Sequence, residues 1–195
     1  MNKKNVLILI IVSILLLNGC GKNSVKHLKE NMKKLELTGN LVTYEAYYHN
    51  VVEYKKDAGK GITHILEKDR KMFIEYTSTV KIGIDLTKVK VDVSGNDINV
   101  FIPKATIIGE PNVDKDDFKK EKFIQSKDGI NKNKIDANDS TEAFDQAQQD
   151  VREAVLNDDV VLSIAQKRAK VLIEENIKQL SGLSDNQYNI NWEFE

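Results

Sequence analysis

The chain has little cysteine, little proline and almost no excess of either charge. Its 195 residues include one cysteine and two prolines, and 29 basic residues oppose 30 acidic ones. A single cysteine excludes an intramolecular disulfide and a metal site built from several thiolates. The net charge of −1 argues against a nucleic-acid-binding protein, for which a basic surface is expected. The 41% of hydrophobic residues is typical of a globular chain rather than a disordered one.

A long apolar run occurs at the N-terminus, and it is too short to cross a membrane comfortably. Lys3 and Lys4 precede residues 6–17, in which only Ser13 is not apolar. A membrane-spanning helix needs about 20 apolar residues. A basic start, a shorter apolar run and a small residue are instead typical of a secretory signal. We therefore predict that residues 1–19 are a signal peptide.

The residues after this run resemble the lipobox of bacterial lipoprotein precursors. Leu17, Asn18 and Gly19 precede Cys20, so that a small residue stands directly before the predicted cleavage site. We predict a diacylglyceryl thioether on Cys20, with residues 20–24 as a lipidated tether. Acyl chains such as palmitate would hold the protein at the extracytoplasmic face of the bacterial cell membrane. The alternative is an ordinary signal peptide, or an uncleaved anchor, followed by a chance cysteine.

Removal of the predicted signal leaves the charge nearly balanced. Residues 1–19 contain Lys3 and Lys4 and no acid, so the remaining chain has 27 basic and 30 acidic residues, a net charge of −3. We therefore expect membrane lipid, bound through Cys20, as one partner and no nucleic acid. An envelope protein or a second copy of the chain is a further candidate partner.

Residues 25–195 are predicted to form a single α+β domain. The spacing of Val25, Leu28, Met32 and Leu35 predicts a short helix, which either packs on the domain's own sheet or lies on lipid or a partner. Runs rich in branched and aromatic residues predict strands at 41–54 and 71–82. Alternating residues on both sides of Ser94-Gly95-Asn96-Asp97 predict a hairpin of 89–93 with 98–102, and 105–108 is a further short strand.

The second half of the chain is predicted to be helical until its last strand. Residues 110–140 are polar and are expected to form a long, flexible loop, and Asp139-Ser-Thr-Glu142 predicts a helix start with a capping box. Two helices follow, separated near 157–159. Their apolar stripes include Ala143, Ala147, Val151 and Ala154 in the first, and Val161, Ala165, Ala169, Leu172, Ile173, Ile177 and Leu180 in the second.

Gly182 occupies a predicted C-terminal cap, and Tyr188, Ile190, Trp192 and Phe194 alternate as in a strand with one buried face. We expect this strand to return to the earlier sheet. The predicted fold is thus α+β, a mostly antiparallel sheet with the C-terminal helices packed on one side and a final strand.

Several of these segments resemble the bacterial DUF4230 family. The resemblance rests on residues 41–45, on the strand ending in Tyr76, and above all on 83–91, which read Gly-Ile-Asp-Leu-Thr-Lys-Val-Lys-Val. Residues 98–105, the alanine-spaced helices and the last strand continue it, whereas 110–140 match poorly. The resemblance implies this fold behind a membrane anchor, and it implies no reaction. In outline the chain is also similar to stomatin-like membrane-scaffold domains.

Candidate chemical groups are few. His27, His49 and His64 lack the spacing of metal ligands, and the chain has no phosphate-binding glycine loop or Gly-x-Ser-x-Gly elbow. Asp85 is expected to accept backbone N–H groups of its own turn, the alternative being a carboxylate in a small cleft. Gly83 is expected to supply a bend or a positive φ for the same turn. We expect no cofactor.

Two acidic clusters and a tyrosine group have both a structural and a functional interpretation. The clusters fit solvated loops and helix caps better than calcium sites, because neither has the full alternation of oxygen ligands with a turn glycine; they are Asp114, Asp116 and Asp117, and Asp136, Asn138 and Asp139. No metal site is therefore expected. Tyr44, Tyr47, Tyr48 and Tyr54 fit packing on a sheet better than a sugar or lipid surface.

These observations favour a non-enzymatic binding or assembly module anchored at the cell envelope. One alternative is a hydrolase of envelope material that uses a carboxylate or histidine site. Another is a scaffold subunit that self-associates through its C-terminal helices.

Overall fold

A computed structural model describes residues 39–119, 122–125, 129–181 and 188–195. The predicted signal peptide, Cys20 with its tether, the predicted first helix and Gly182 lie outside these residues. The chain forms two compact units. The first, here called the sheet–helix unit, contains the described residues of Leu41–Ile84 and Ala105–Ala169; the second, the three-strand unit, contains residues 39–40, Asp85–Lys104, 170–181 and 188–195.

A five-stranded sheet forms the sheet–helix unit, and a single long strand lies at its centre. This central strand, β2, has β1 on one side and three short antiparallel strands one after another on the other side. The strands are β1 (Asn40–Lys56), β2 (Arg70–Asp85), β5 (Thr106–Ile107), β6 (Asn112–Val113) and β7 (Ile124–Gln125). The strands predicted at 41–54, 71–82 and 105–108 are thereby confirmed.

Side-chain pairs show that β1 runs antiparallel to β2. His49 Nε2 lies 2.7 Å from Glu75 Oε1, and Lys71 pairs with Glu53. Residue numbers therefore rise along β1 as they fall along β2, which is the pattern of antiparallel neighbours.

One face of β2 is fully covered and the other is open. Each covered side chain is at most 1% exposed; these are Met72, Ile74, Tyr76, Val80, Ile82 and Ile84. The alternate residues Glu75 and Thr77 are exposed, as expected when one face of an antiparallel sheet meets solvent.

Helix α1 (Ala137–Leu156) packs on the covered face. The Tyr76 hydroxyl donates to the Ala147 carbonyl at 3.4 Å. The buried stripe of α1 is Ala143, Ala147, Val151 and Val155. The inclusion of Ala154 in this stripe was wrong: it is exposed, and Val155 continues the four-residue spacing into the core.

The start of α1 was also predicted wrongly, by three residues. Asp136 is the N-cap, accepting the Asn138 and Asp139 N–H groups at 2.9 and 3.2 Å, and the Asp139 carboxylate accepts the Asp136 N–H at 2.7 Å. This reciprocal pair is a capping box, one turn earlier than 139–142. The break near 157–159 is confirmed, because Asn157 caps α1 and α2 begins at Asp159.

Helix α2 (Asp159–Ser181) contributes its first half to the sheet–helix unit. Thr43 Oγ1 donates to the Ala165 carbonyl at 2.8 Å, and Ala165 and Ala169 are fully buried. Of the predicted stripe on the second half, Ile173 and Ile177 are buried, whereas Leu172 is 43% exposed.

The three-strand unit contains the predicted hairpin and the last strand. Its strands are β3 (Lys90–Ser94), β4 (Asp97–Ile102) and β8 (Asn189–Phe194). Strand β3 pairs antiparallel with β4, and Gly95 takes a positive φ of 61° in their turn. The last strand does return, but it pairs parallel to β4, from Asp97 with Asn189 to Ile102 with Phe194.

The described residues therefore confirm the α+β class: mostly antiparallel sheets, two C-terminal helices and a final strand. Across the same ranges, no helix is both long enough and apolar enough to cross a membrane.

Candidate functional site

A groove on the open face of the five-stranded sheet is the candidate functional site. It has a volume of about 570 Å³ and is lined by three neighbouring segments. A second recess of about 340 Å³ shares His49 and Thr77 with it and extends towards Lys122. We call the two together the open-face groove; its walls are Tyr47–His49 of β1, Glu75–Thr79 of β2, Asn112–Lys115 around β6, Asp117 and Lys122.

The β1 wall of the groove presents an aromatic ring beside a histidine–glutamate pair. Tyr47 is 77% exposed, so its ring stands free in solvent. His49 Nε2 lies 2.7 Å from Glu75 Oε1, with both side chains about two-thirds exposed. An exposed pair of this kind contributes little to stability, about 0–1 kcal/mol. These groups are therefore available to a ligand without cost to the fold.

The opposite wall is held in place by Asp117. Its Oδ2 accepts from the Thr77 backbone N–H at 3.0 Å and from Thr77 Oγ1 at 3.2 Å, and its Oδ1 lies 2.6 Å from Lys122 Nζ. The bond from Lys122, followed by those from Thr77, holds the pKa of Asp117 below its ordinary value. Asp117 is thus an ionised tie between β2 and the following loop.

Neither Thr77 nor Ser78 forms a nucleophile–base pair with His49 in the open-face groove. The Thr77 hydroxyl already donates to Asp117, 40 residues away in sequence. Ser78 is 4% exposed, and by strand alternation its side chain belongs to the covered face, away from His49. A serine or threonine activated by a histidine would need the two side chains within hydrogen-bond reach.

Within the described residues, no group of three or more His, Cys, Asp or Glu side chains is placed to hold a metal ion. The first acidic cluster caps a short 3-10 turn: Asp114 accepts the Asp116 N–H at 2.9 Å. Asp116 pairs with Lys119 at 2.9 Å. The second cluster caps α1. Asp114, Asp136 and Asp139 thus act in caps, and Asp116 and Asp117 pair with lysines.

Asp85 behaves as the sequence predicted, and Gly83 does not. Asp85 Oδ1 accepts from the Thr87 N–H at 2.9 Å and from the Thr87 hydroxyl at 2.6 Å, which lowers the pKa of Asp85. Gly83 has no positive φ; it lies within β2, where a Cβ would come within 1.9 Å of the Leu41 carbonyl oxygen. Its role is a close approach of two backbones. Neither residue lines the open-face groove.

The tyrosines and histidines separate into different environments. Tyr47 and Tyr48 line the groove, whereas Tyr44 lies 5.2 Å from the Arg168 guanidinium. The Tyr54 hydroxyl donates to Glu142 at 2.6 Å and to Asp139 at 3.2 Å, and partial burial together with these bonds raises the pKa of Tyr54. Of the described histidines, His49 is in the groove and His64 lies 2.8 Å from Glu67.

Sequence reasoning missed the wall formed by Asn112–Lys115 and Lys122. Strand β6 has only two residues, too few to show an alternating pattern, and the polar composition of 110–140 suggested a loop. The alternating polar residues Glu75, Thr77 and Thr79 were a signal for the open face of β2.

Comparison with known proteins gives a family and no closer relative. A family model described as "Protein of unknown function (DUF4230)" matches residues 33–189, more than half of the chain. No curated protein and no solved structure matches this chain.

Proposed function

This chain belongs to the DUF4230 family, whose function is unknown, and we propose a function from that premise. We propose that the protein is a lipid-anchored binding module at the extracytoplasmic face of the bacterial cell membrane. The observation that carries the proposal is the N-terminal sequence. Lys3 and Lys4, the apolar run 6–17 and Leu17-Asn18-Gly19-Cys20 together have the composition and order of a lipoprotein signal.

Chemistry at Cys20 supports the anchoring role. The sulfur of this residue is the chain's single thiol, and a thioether there would leave no cysteine for any other purpose. Each buried methylene contributes about 0.8 kcal/mol to membrane binding, so two or three acyl chains on one residue give stable anchoring.

The open-face groove supports the binding role. An exposed aromatic ring, Tyr47, stands beside the threonine hydroxyls of β2 and the Asn112 amide. A flat apolar ring surrounded by hydrogen-bonding groups suits a polar ligand that has one apolar face, such as a sugar of the cell envelope. We propose that the module binds such a ligand in this groove.

Metabolic labelling tests the anchor. Cells expressing the full chain are fed an alkyne analogue of palmitate, and label is compared between the wild type and Cys20→Ala. We expect label and membrane fractionation for the wild type, and an unlabelled precursor or a shed protein for the variant. Ser24→Ala is the matched control, because it alters the same segment without removing the sulfur. Label on Cys20→Ala would overturn the lipobox interpretation.

Co-sedimentation with purified peptidoglycan sacculi tests the groove. We expect the full chain in detergent to bind, and Tyr47→Ala to bind about tenfold more weakly, since stacking on an aromatic ring contributes roughly 1 kcal/mol or more. Val160→Ala is the control, because Val160 is 69% exposed and does not line the groove. Equal binding by all three proteins would exclude the groove as the ligand site.

One variant separates a binding module from a carboxylate enzyme. Asp85→Asn keeps an oxygen that can accept from Thr87, so the turn should survive. A binding module should then retain its fold and its ligand. Loss of a measurable sacculus-degrading activity in Asp85→Asn, with the fold intact by circular dichroism, would instead establish a hydrolase.

A further inference from the structure

Two loops of the sheet–helix unit expose large aliphatic side chains. In the loop 57–69, which joins β1 to β2, Ile62 is 88%, Ile65 75% and Leu66 49% exposed. In the second loop, before α1, Ile130 is 83% exposed. Ile62 starts a 3-10 turn and Ile65 follows three residues later, a spacing that places both on one side of the turn.

Hydrogen bonds tie the two loops together. The Lys132 N–H donates to the Leu66 carbonyl at 3.0 Å, and the Lys68 N–H donates to Asn131 Oδ1 at 3.0 Å. Asn133 is 5% exposed, and its Nδ2 donates to the carbonyls of Asp57 and Lys68 at 3.0 and 3.1 Å. The four exposed aliphatic residues therefore lie on two loops that are bonded to each other. We call this group the tip; it consists of Ile62, Ile65, Leu66 and Ile130.

Two backbone N–H groups of the first loop are bonded to carboxylates of the same loop. The N–H groups of Ala58 and Gly59 donate to the carboxylates of Asp69 and Glu67 at 2.9 and 3.0 Å. A Cβ on Gly59 would come within 2.2 Å of the His64 ring, so glycine is required for this packing. The aliphatic side chains point outwards from a preorganised loop, a state that is costly in water unless a partner covers it.

Unpaired lysines surround the tip. Lys60, Lys68, Lys132 and Lys134 are exposed, and among the described residues none of them forms an ion pair. The acids of the same loop are engaged: Lys55 lies 2.8 Å from Asp57 and 2.7 Å from Asp69, and His64 lies 2.8 Å from Glu67. Lys55 and these four lysines carry five positive charges against the three negative charges of Asp57, Glu67 and Asp69, so the net charge around the exposed aliphatic side chains is +2.

We propose that this tip inserts into the headgroup region of an anionic phospholipid membrane, as a second, non-covalent contact besides the lipid on Cys20. Aliphatic side chains that enter the interface and lysines that remain among the headgroups are the two components of such binding. Free lysines favour a phospholipid surface over a second copy of the chain, whose identical tip would bring like charges together. The inference rests on the membrane location proposed above.

An environment-sensitive dye at the tip tests this. Ile62→Cys in the lipidated full chain is labelled with a nitrobenzoxadiazole dye, since acylated Cys20 offers no thiol, and is reconstituted into vesicles of phosphatidylglycerol and phosphatidylcholine in equal parts. We expect a blue shift of emission and a several-fold loss of quenching by aqueous iodide. Ile65→Cys should behave alike, and Val160→Cys, an exposed aliphatic position elsewhere in the unit, should remain quenched.

A charge variant tests the role of the lysines. The double substitution Lys60→Glu and Lys132→Glu, added to Ile62→Cys, should restore quenching several-fold. The matched double substitution Lys104→Glu and Lys167→Glu should not. Vesicles of phosphatidylcholine alone should also leave the dye quenched.

The outcomes separate the tip from the anchor. Co-flotation with vesicles reports the anchor, and dye emission reports the tip. A chain that floats with vesicles while the dye at positions 62 and 65 stays fully quenched would overturn the proposal and leave the anchor intact. Protection of the dye without vesicles, increasing with protein concentration, would also overturn it, because it would identify a second copy as the occupant.

Discussion

The two faces of β2 belong to the same strand but are held in different ways. The covered face consists of large apolar side chains with almost no exposure, packed beneath α1. The open face holds Glu75, Thr77 and Thr79; Glu75 contacts His49 of β1, and Thr77 bonds to Asp117 in the loop after β6. Apolar burial contributes most of the stability of such a unit, whereas exposed polar pairs contribute little. The side chains of the open face can consequently serve ligand binding, because the stability of the unit depends little on them.

The largest expected difference in unfolding free energy is between alanine variants of two adjacent residues. Ile74→Ala on the covered face should lower the free energy of unfolding by about 2–5 kcal/mol, because it leaves a cavity in a core with 0% exposure. Glu75→Ala on the open face should change it by less than about 1 kcal/mol. Urea unfolding followed by circular dichroism measures both. Similar losses for the two variants would contradict the comparison.

A substitution at Gly83 tests whether a position on the open face can tolerate a larger side chain as poorly as a position on the covered face. By alternation it belongs to the open face, yet it is buried where the Leu41 carbonyl approaches. We expect Gly83→Ala to cost about 1–3 kcal/mol of unfolding free energy, since backbone must move to admit the methyl group. Thr79→Ala is the control on the same face. A Gly83→Ala protein as stable as the wild type would show that β1 can shift without cost.

Asp136 tests the polar rim of the covered face, where Lys56 at the end of β1 lies 3.0 Å from the carboxylate that caps α1. Asp136→Ala should lower the free energy of unfolding near neutral pH, because α1 loses its N-cap. The bond from Lys56, then that from the Asp139 N–H, lowers the pKa of Asp136 in the folded state. The carboxylate therefore stabilises the fold above its ordinary pKa of about 3.9 and loses this effect as the pH falls below it.

The measurement is the difference in unfolding free energy between wild type and Asp136→Ala across the acid range. That difference should shrink as the pH falls below about 4. Asp145→Ala, at an exposed position in the middle of α1, should show no such pH dependence. A difference that grows on acidification would contradict the assigned pKa direction.

The smallest expected effect on stability is that of the exposed pair in the groove. His49→Ala should change the unfolding free energy by about 0.5 kcal/mol or less, because both partners are largely solvated. The same variant should weaken binding to sacculi. A large loss of stability in His49→Ala would show that the pair with Glu75 serves to stabilise the fold rather than to bind a ligand.

Alternation and spacing made much of the fold predictable from the sequence. The hairpin of β3 and β4 has apolar residues at every second position on both strands and a glycine in the turn, and these local features are sufficient to specify it. The start of α1 was not predictable in the same way. Asp136 and Asp139 each have an acid three residues later, so both fit the pattern of a capping box. Lys56 contacts both carboxylates, but it is 80 residues from Asp136 and 83 from Asp139 in the sequence.

The open-face groove was less predictable than the fold. Its walls depend on contacts between distant residues, such as Asp117 with Thr77, and on the short strand β6. Neither leaves a periodic pattern in the sequence. The sequence analysis weighed His49 and Tyr47 and favoured a site role for neither, because their neighbours across the sheet come from pairing that the sequence does not encode locally.

The parallel pairing of β8 with β4 has a consequence for the order of events in folding. Asp97 cannot meet Asn189 until more than 90 further residues have been synthesised, so this contact closes a long loop late. The three-strand unit therefore cannot be completed before the last strand of the chain has been made.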